Sequence, residues 1–176
     1  MKKTLIVLLL LGAVIWSIGC KTKSDKEPAS HKSNTLNYAG IYEYGAYGDS
    51  TQTGASGQII IYAESTDTIL FYLDVSIGAP SYNMGSIYDK CHIASDKTTF
   101  HRKFDYCNNS CEWSLNFSDT TVTIETINNA YDCGFGGNVI ADGVYKKVSS
   151  EQPDHFEDMY GNKIYFAKTQ PANYSK

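Results

Sequence analysis

From residue 36 onward the chain alternates apolar and polar side chains in short runs, and turn residues separate the runs. The clearest pair is CEWSLNF (111–117) and TVTIETI (121–127), joined by Ser118-Asp119. Trp113, Leu115 and Phe117 share one face of the first arm, and Glu112, Ser114 and Asn116 take the other. In the second arm Val122 and Ile124 alternate with Thr121, Thr123 and Glu125. Strict period two in both arms predicts antiparallel strands with one wet face. Further runs read the same way: LNYAGIYEYG (36–45), GQIIIYAES (57–65), TDTILFYLDVSIG (66–78), YNMGSIYDKCHI (82–93), KTTFHRKFDY (97–106) and NVIADGVYKKV (138–148). Ile69, Phe71, Leu73 and Val75 fall on one face. Ser65-Thr66-Asp67 and Ala94-Ser95-Asp96 read as hairpin turns.

About eight strands with short links, and no helix-period segment beyond the leader, predict an all-β domain over residues 36–150. It is a single antiparallel up-and-down β-barrel or a sandwich. Closure into a barrel removes the exposed edges that a sheet protein must otherwise manage. Residues 151–176 form a C-terminal extension. Pro153 breaks from the last strand, Ile164 and Phe166 add a short strand, and the tail frays beyond Ala167.

The other end has a different pattern. MKKTLIVLLLLGAVIWSIGC opens with Lys2 and Lys3, continues with an apolar run from Leu5 to Trp16, and ends on small residues before Cys20. That is the layout of a secretory signal over residues 1–19, and the run is shorter than the roughly 20 residues a spanning helix needs. Ser17-Ile18-Gly19-Cys20 resembles the lipobox of bacterial lipoproteins, although Ser17 stands where a leucine is usual. The resemblance implies cleavage before Cys20, lipidation of its thiol with palmitate-type acyl chains, and anchorage in the cell envelope. Lys21 in place of an aspartate points by the same analogy to the outer membrane. Residues 20–35, KTKSDKEPASHKSNT after the cysteine, carry no large apolar side chain and form a flexible tether. As a coil it reaches about 20 Å. His31 within it is solvated.

Charge and cysteines narrow the picture further. Beyond the leader there are 13 basic and 19 acidic residues, a formal net charge of −6. No basic run stands out, so nucleic acid is not an expected partner. With Cys20 taken by lipid, Cys91, Cys107, Cys111 and Cys133 remain, and export to an oxidising compartment predicts two disulfides. Three pairings are possible. Cys111 shares the inward parity of Trp113, and Cys133 leads into the last strand, so Cys111–Cys133 with Cys91–Cys107 is the expected set. A zinc site is the rival reading, but CNNSC is not the usual knuckle and no second one follows.

Candidate chemistry is sparse. YDCGFGGNVI (131–140) has the glycines of a phosphate-binding loop, yet Val139 stands where the dinucleotide fingerprint needs glycine, no helix follows and no P-loop lysine is present. A pinned turn is expected there. His92 and His101 sit on neighbouring strands of an expected hairpin, opposite its apolar face, where they could approach each other and bind a metal with Asp105. His155 stands beside Asp154, Glu157 and Asp158, but there is no Gly-x-Ser-x-Gly elbow. No cofactor or catalytic residue is expected, and the chain reads as a non-enzyme. Tyr42, Tyr44 and Tyr47, with Tyr38 and the GAYGDSTQTGASG segment, are the best recognition candidates, against the alternative that they line a barrel.

The block from CEWSLNF to DCGFGGNVIADGVYKK, residues 111–147, looks like a recurring C-terminal block of small exported bacterial β-domains. Many of these are lipoproteins, and lysozyme-inhibitor and lipocalin-type lipoproteins are distant neighbours of the type. The resemblance implies an envelope lipoprotein that binds a protein such as a lysozyme, or a small ligand. The alternatives are a structural envelope lipoprotein without soluble ligand and, last, an unrecognised hydrolase.

Overall fold

A computed structural model of the chain describes residues 35–49, 51, 53–105 and 110–174. The leader, Cys20, the tether with His31, and Cys107 lie outside the described residues. Eight strands form one antiparallel sheet: β1 Gly40–Tyr44, β2 Ala55–Ala63, β3 Thr68–Ile77, β4 Met84–His92, β5 Lys97–Lys103, β6 Ser110–Phe117, β7 Thr121–Tyr131 and β8 Gly143–Ser149. The order across the sheet is β4-β3-β2-β1-β8-β7-β6-β5. Each strand therefore pairs with its neighbour in sequence, except at two places. β1 pairs with β8, through Tyr42 opposite Lys147 and Glu43 opposite Lys146. β4 and β5 share a turn but do not pair. The sheet is an up-and-down barrel, nearly closed, with its break in the middle of the chain rather than at the ends.

The alternation seen in the sequence becomes the wall of this barrel. Ile69, Phe71, Leu73 and Val75 of β3 point in, as do Trp113, Leu115 and Phe117 of β6 and Val122 and Ile124 of β7. Ile59, Ile61, Tyr42, Ile87, Phe100 and Tyr145 complete the inner cluster. Rings interlock at its centre: Phe71 meets Phe100 edge-on at 5.4 Å, and Phe100 tilts on Trp113 at 4.7 Å. Such contacts add about 1 kcal/mol each beyond the area they bury.

The two ends are closed differently. At one end a 3-10 turn, Thr35–Tyr38, lies over the hairpin turns. Tyr38 packs its ring on Phe117 at 4.7 Å and donates its hydroxyl to Asp96 Oδ1 at 3.0 Å, while Thr35 donates to the Ser65 carbonyl. The opposite end is filled by the loop between β7 and β8. That loop starts at a disulfide, Cys111–Cys133, closing a sequence separation of 22 residues. In the chain-entropy treatment a bridge of this span contributes about 3 kcal/mol.

The expected last strand is shorter than the NVIADGVYKKV run. Residues 138–142 belong to the loop, because Asn138 takes a positive φ of 63° and Asp142 turns to accept from the Thr126 N–H and hydroxyl at 2.9 and 2.6 Å. β7 is longer than expected and bulged, with Asn128 and Asn129 both at positive φ. Asparagine tolerates that region better than most side chains.

The expected second bridge involves a residue that is not described. Cys91 is a free thiol on the inner side of β4, 5% exposed, and burial pushes its pKa up to about 12. Its expected partner Cys107 lies outside the described residues.

The C-terminal extension does not fray within the described residues. A hairpin of β9 His155–Glu157 and β10 Lys163–Tyr165, followed by a 3-10 turn at Pro171–Asn173, packs on the outer face of β2, β3 and β4. Phe156 stacks on Tyr72 at 4.0 Å and Phe166 on Tyr62 at 5.3 Å. Tyr88 donates its hydroxyl to the Thr169 carbonyl. A second, mainly aromatic core, with Ile60 and Leu70 in it, thus forms outside the barrel.

Candidate functional site

Among the described residues the interior is filled: its side chains from Tyr42 round to Tyr145 are at or near zero exposure. A small barrel of eight strands is filled by its own side chains when those are large, and here they include Trp113, two tyrosines and two phenylalanines. This leaves the outside for contact with another molecule.

The CGFGG loop is part of that filling. Gly134, at φ 72°, lets the chain reverse after Cys133. Phe135 then lies over Gly85 and reaches Trp113, with ring centroids 6.1 Å apart. The Gly136 N–H bonds the Met84 carbonyl at 2.9 Å, and Asn83 Nδ2 donates to the Gly137 carbonyl at 2.8 Å. The amides of Asp132, Cys133, Gly136 and Val139 bond to protein carbonyls, and the Phe135 ring seals the barrel mouth. It is a plug, as well as the pinned turn read from the sequence.

The tyrosines named in the sequence separate into two roles. Tyr42 is at 0% exposure in the barrel core, its hydroxyl donating to the Tyr38 carbonyl at 2.9 Å. That enclosure takes Tyr42 out of any surface a partner could touch, and burial raises its pKa. Tyr44 leans inward on Tyr145 at 5.5 Å and packs over Gly143. Tyr47 alone reaches the outer surface, in the loop after β1. Its hydroxyl donates to Asp74 Oδ2 at 3.1 Å, and burial followed by the Asp74 charge raises its pKa.

Tyr47 stands at the rim of a groove of about 480 Å3 between the outer face of β1–β3 and the C-terminal hairpin. Ile41, Ile60, Tyr72 and Phe156 form its floor. Asp154, Glu157 and Gln58 line the wall, with Glu43 held by the Gln58 amide at 3.1 Å. His155 sits in the same wall, hydrogen-bonded through Nδ1 to Asp154, and this bond lowers the Asp154 pKa. Lys163 pairs with Glu157 at 3.8 Å, and Lys146 stands opposite Glu43 on β8. An apolar, aromatic floor under a rim of carboxylates suits a cationic and partly apolar contact. The acidic wall lies in the segment read from sequence as a mere extension, and only the tertiary packing brings it to Tyr47.

The histidine pair does not form. Because β4 and β5 do not pair, His92 turns to Asp67 at 3.7 Å and His101 to Glu112 at 3.6 Å, both exposed. No group of three metal-ligating side chains occurs among the described residues.

No family model, curated protein or solved structure matches this chain.

Proposed function

We propose that the chain is an envelope lipoprotein, anchored through acyl groups on Cys20, and that it works as a non-enzymatic binding module. The lipobox-like leader supports the anchor, and Lys21 supports the outer membrane as its site. The observation that carries the binding reading is the groove on the outside of a filled barrel. Tyr47, His155, Asp154 and Glu157 ring an aromatic floor there. The fit is to a basic protein surface, with a lysozyme as the example that the block resemblance suggests. The carboxylates speed encounter, since complementary charge acts mainly on association. The aromatic floor supplies the apolar contact that holds the complex. The non-enzymatic reading rests on the sequence, which carries no hydrolase signature.

The mature chain without acyl groups should bind a basic lysozyme measurably by calorimetry and slow cell-wall lysis in proportion. A double substitution, Asp154→Asn with Glu157→Gln, should weaken binding about tenfold, mostly through a slower on-rate that vanishes at high salt. Equal affinity in the double variant would place the contact elsewhere, and absence of binding at large molar excess would remove lysozyme as the partner. Mass spectrometry of the exported protein reports the Cys20 acyl groups directly.

A further inference from the structure

The seam between β4 and β5 is the one break in the barrel sheet, and two recesses meet there on a single guanidinium. The first, about 230 Å3, is walled by Ile87, Tyr88, Phe104 and Tyr174 with the Cys133–Gly134 corner at its base. The second, about 380 Å3, runs out past Asp89, Lys90 and the Gln170–Ala172 turn. Arg102 lines both.

The backbone lip of β4 is already occupied by donors from outside its own sheet neighbours. Gly136 N–H takes the Met84 carbonyl at 2.9 Å, Arg102 Nη1 takes the Tyr88 carbonyl at 3.4 Å, and the Thr98 hydroxyl takes the His92 carbonyl at 2.6 Å. Arg102 Nη1 also bonds Asp89 Oδ2 at 3.2 Å. Charged side chains turned inward at an open edge protect it from pairing with another chain, so the Arg102–Asp89 strap has a structural role. That role uses one corner of the arginine. The guanidinium has five N–H donors in a planar fork, and among the described residues its hydrogen bonds leave from Nη1 alone. The Phe104 ring lies 4.8 Å from Cζ, within cation–π distance. An edge strap does not need an apolar slot, and Arg102 lines one.

We propose that the seam is a binding site for a small apolar monocarboxylate. A single ring or short aliphatic chain occupies the slot between Ile87, Phe104 and Tyr174, and the carboxylate takes the free Nη2–Nε edge of Arg102. Lys90 adds a second positive charge to the outer recess, and it makes no ion pair among the described residues. The slot is smaller than the roughly 300–1,000 Å3 of sites for drug-sized molecules, which restricts the ligand to one ring or a short chain. Asp89 opposes the ligand charge and sets a modest affinity. The site shares no lining residue with the Tyr47–His155 groove, so either can fail without the other.

The test titrates the mature protein with 3-phenylpropionate and hexanoate, and with 3-phenylpropionamide as the neutral isostere, following two-dimensional NMR spectra. The acids should give saturable shifts confined to Tyr88, Arg102, Phe104 and Tyr174, with the amide at least tenfold weaker. Charge-assisted bonds to a carboxylate are about twice as strong as neutral ones. Arg102→Gln should lose about tenfold or more in acid affinity. Asp89→Asn should gain severalfold, because it removes the like charge; a purely structural strap gives no gain. Acid and amide binding alike, shifts mapping away from the seam, an Asp89→Asn variant that binds no tighter, or no saturable shift with either acid up to about 10 mM each overturns the proposal. If Arg102→Gln fails to fold, the acid–amide comparison and Asp89→Asn still decide it.

Discussion

At the scale of single residues, Gly85 sets how the plug closes the barrel. Its φ is ordinary, so conformational freedom is not the reason for glycine there. A Cβ at position 85 would lie 2.2 Å from the Phe135 ring and 2.3 Å from its Cγ, inside any allowed contact. Gly85→Ala must therefore expel Phe135 or move β4, and overpacking of this kind costs about 1–3 kcal/mol. The cost should shrink when Phe135→Ala is added, since that removes the Cγ and ring atoms the new Cβ would meet, and the two effects should not add. Urea midpoints of the two single variants and the double variant measure that coupling; additive losses would mean that Phe135 is not seated on Gly85. The glycine-rich loop was legible in the sequence as a turn pinned by Cys111–Cys133, because parity put the Cys111 sulfur inside. The plug was not legible, because Phe135 and Gly85 are fifty residues apart and no local pattern links them.

The elements divide in the same way. Period two assigned the inward faces of β3, β6 and β7 correctly, since alternation is local and burial on one face is all it needs. The outer face of β3 carried a second signal: ILFYL at 69–73 is apolar on both sides, and a run without alternation marks a strand covered on both faces. Leu70, at 0% exposure, and Tyr72 lie under the C-terminal hairpin. The covering element was harder to read, because its apolar residues Phe156, Ile164 and Phe166 are spread among turn residues and charges. Burial makes the extension part of the folding unit. Phe166→Ala should lower stability by about 3–5 kcal/mol, the usual cost of emptying a buried phenylalanine site. Ending the chain at Ser150 should bare Leu70, Tyr72 and Tyr88 and make the domain bind hydrophobic dyes. A truncated chain that kept its urea midpoint and bound no dye would show that the barrel does not depend on its outer aromatic layer.

For the whole molecule, the closing contacts are the most distant in sequence: β1 meets β8 across a hundred residues, and Lys147 reaches the Asn37 carbonyl at 2.9 Å. Such pairing fixes the break at β4–β5, and no alternation pattern encodes where a barrel will fail to close. The abundance of tyrosine, ambiguous in the sequence between lining and recognition, divides three ways: Tyr38, Tyr42, Tyr44 and Tyr145 line the barrel, Tyr62, Tyr72, Tyr88 and Tyr174 build the outer layer, and Tyr82, Tyr131, Tyr160 and Tyr165 are exposed. The buried ones give the molecule a defined response to base. Burial pushes Tyr38 and Tyr88 up to about 12, with the Asp96 hydrogen bond adding to Tyr38 and the Glu64 charge to Tyr88. Burial raises Tyr42, Tyr72 and Tyr145 as well. In the unfolded chain a tyrosine ionises near 10. Below that pH both states hold the proton and the stability is fully present. Above it the unfolded state loses protons that the folded state keeps, so unfolding becomes progressively easier as pH rises toward the folded values. The urea midpoint should therefore be insensitive to these groups from pH 7 to about 9 and fall steeply between about 10 and 12, with the buried rings' share of the tyrosinate absorbance appearing together with unfolding. Tyr42→Phe removes one such proton and should make the fall shallower, at the cost of the bond to the Tyr38 carbonyl. Full tyrosinate absorbance, the buried rings' share included, reached near pH 10 while the fold persisted would mean that the inner rings are open to solvent, and that the barrel is not the filled body from which both surface sites were inferred.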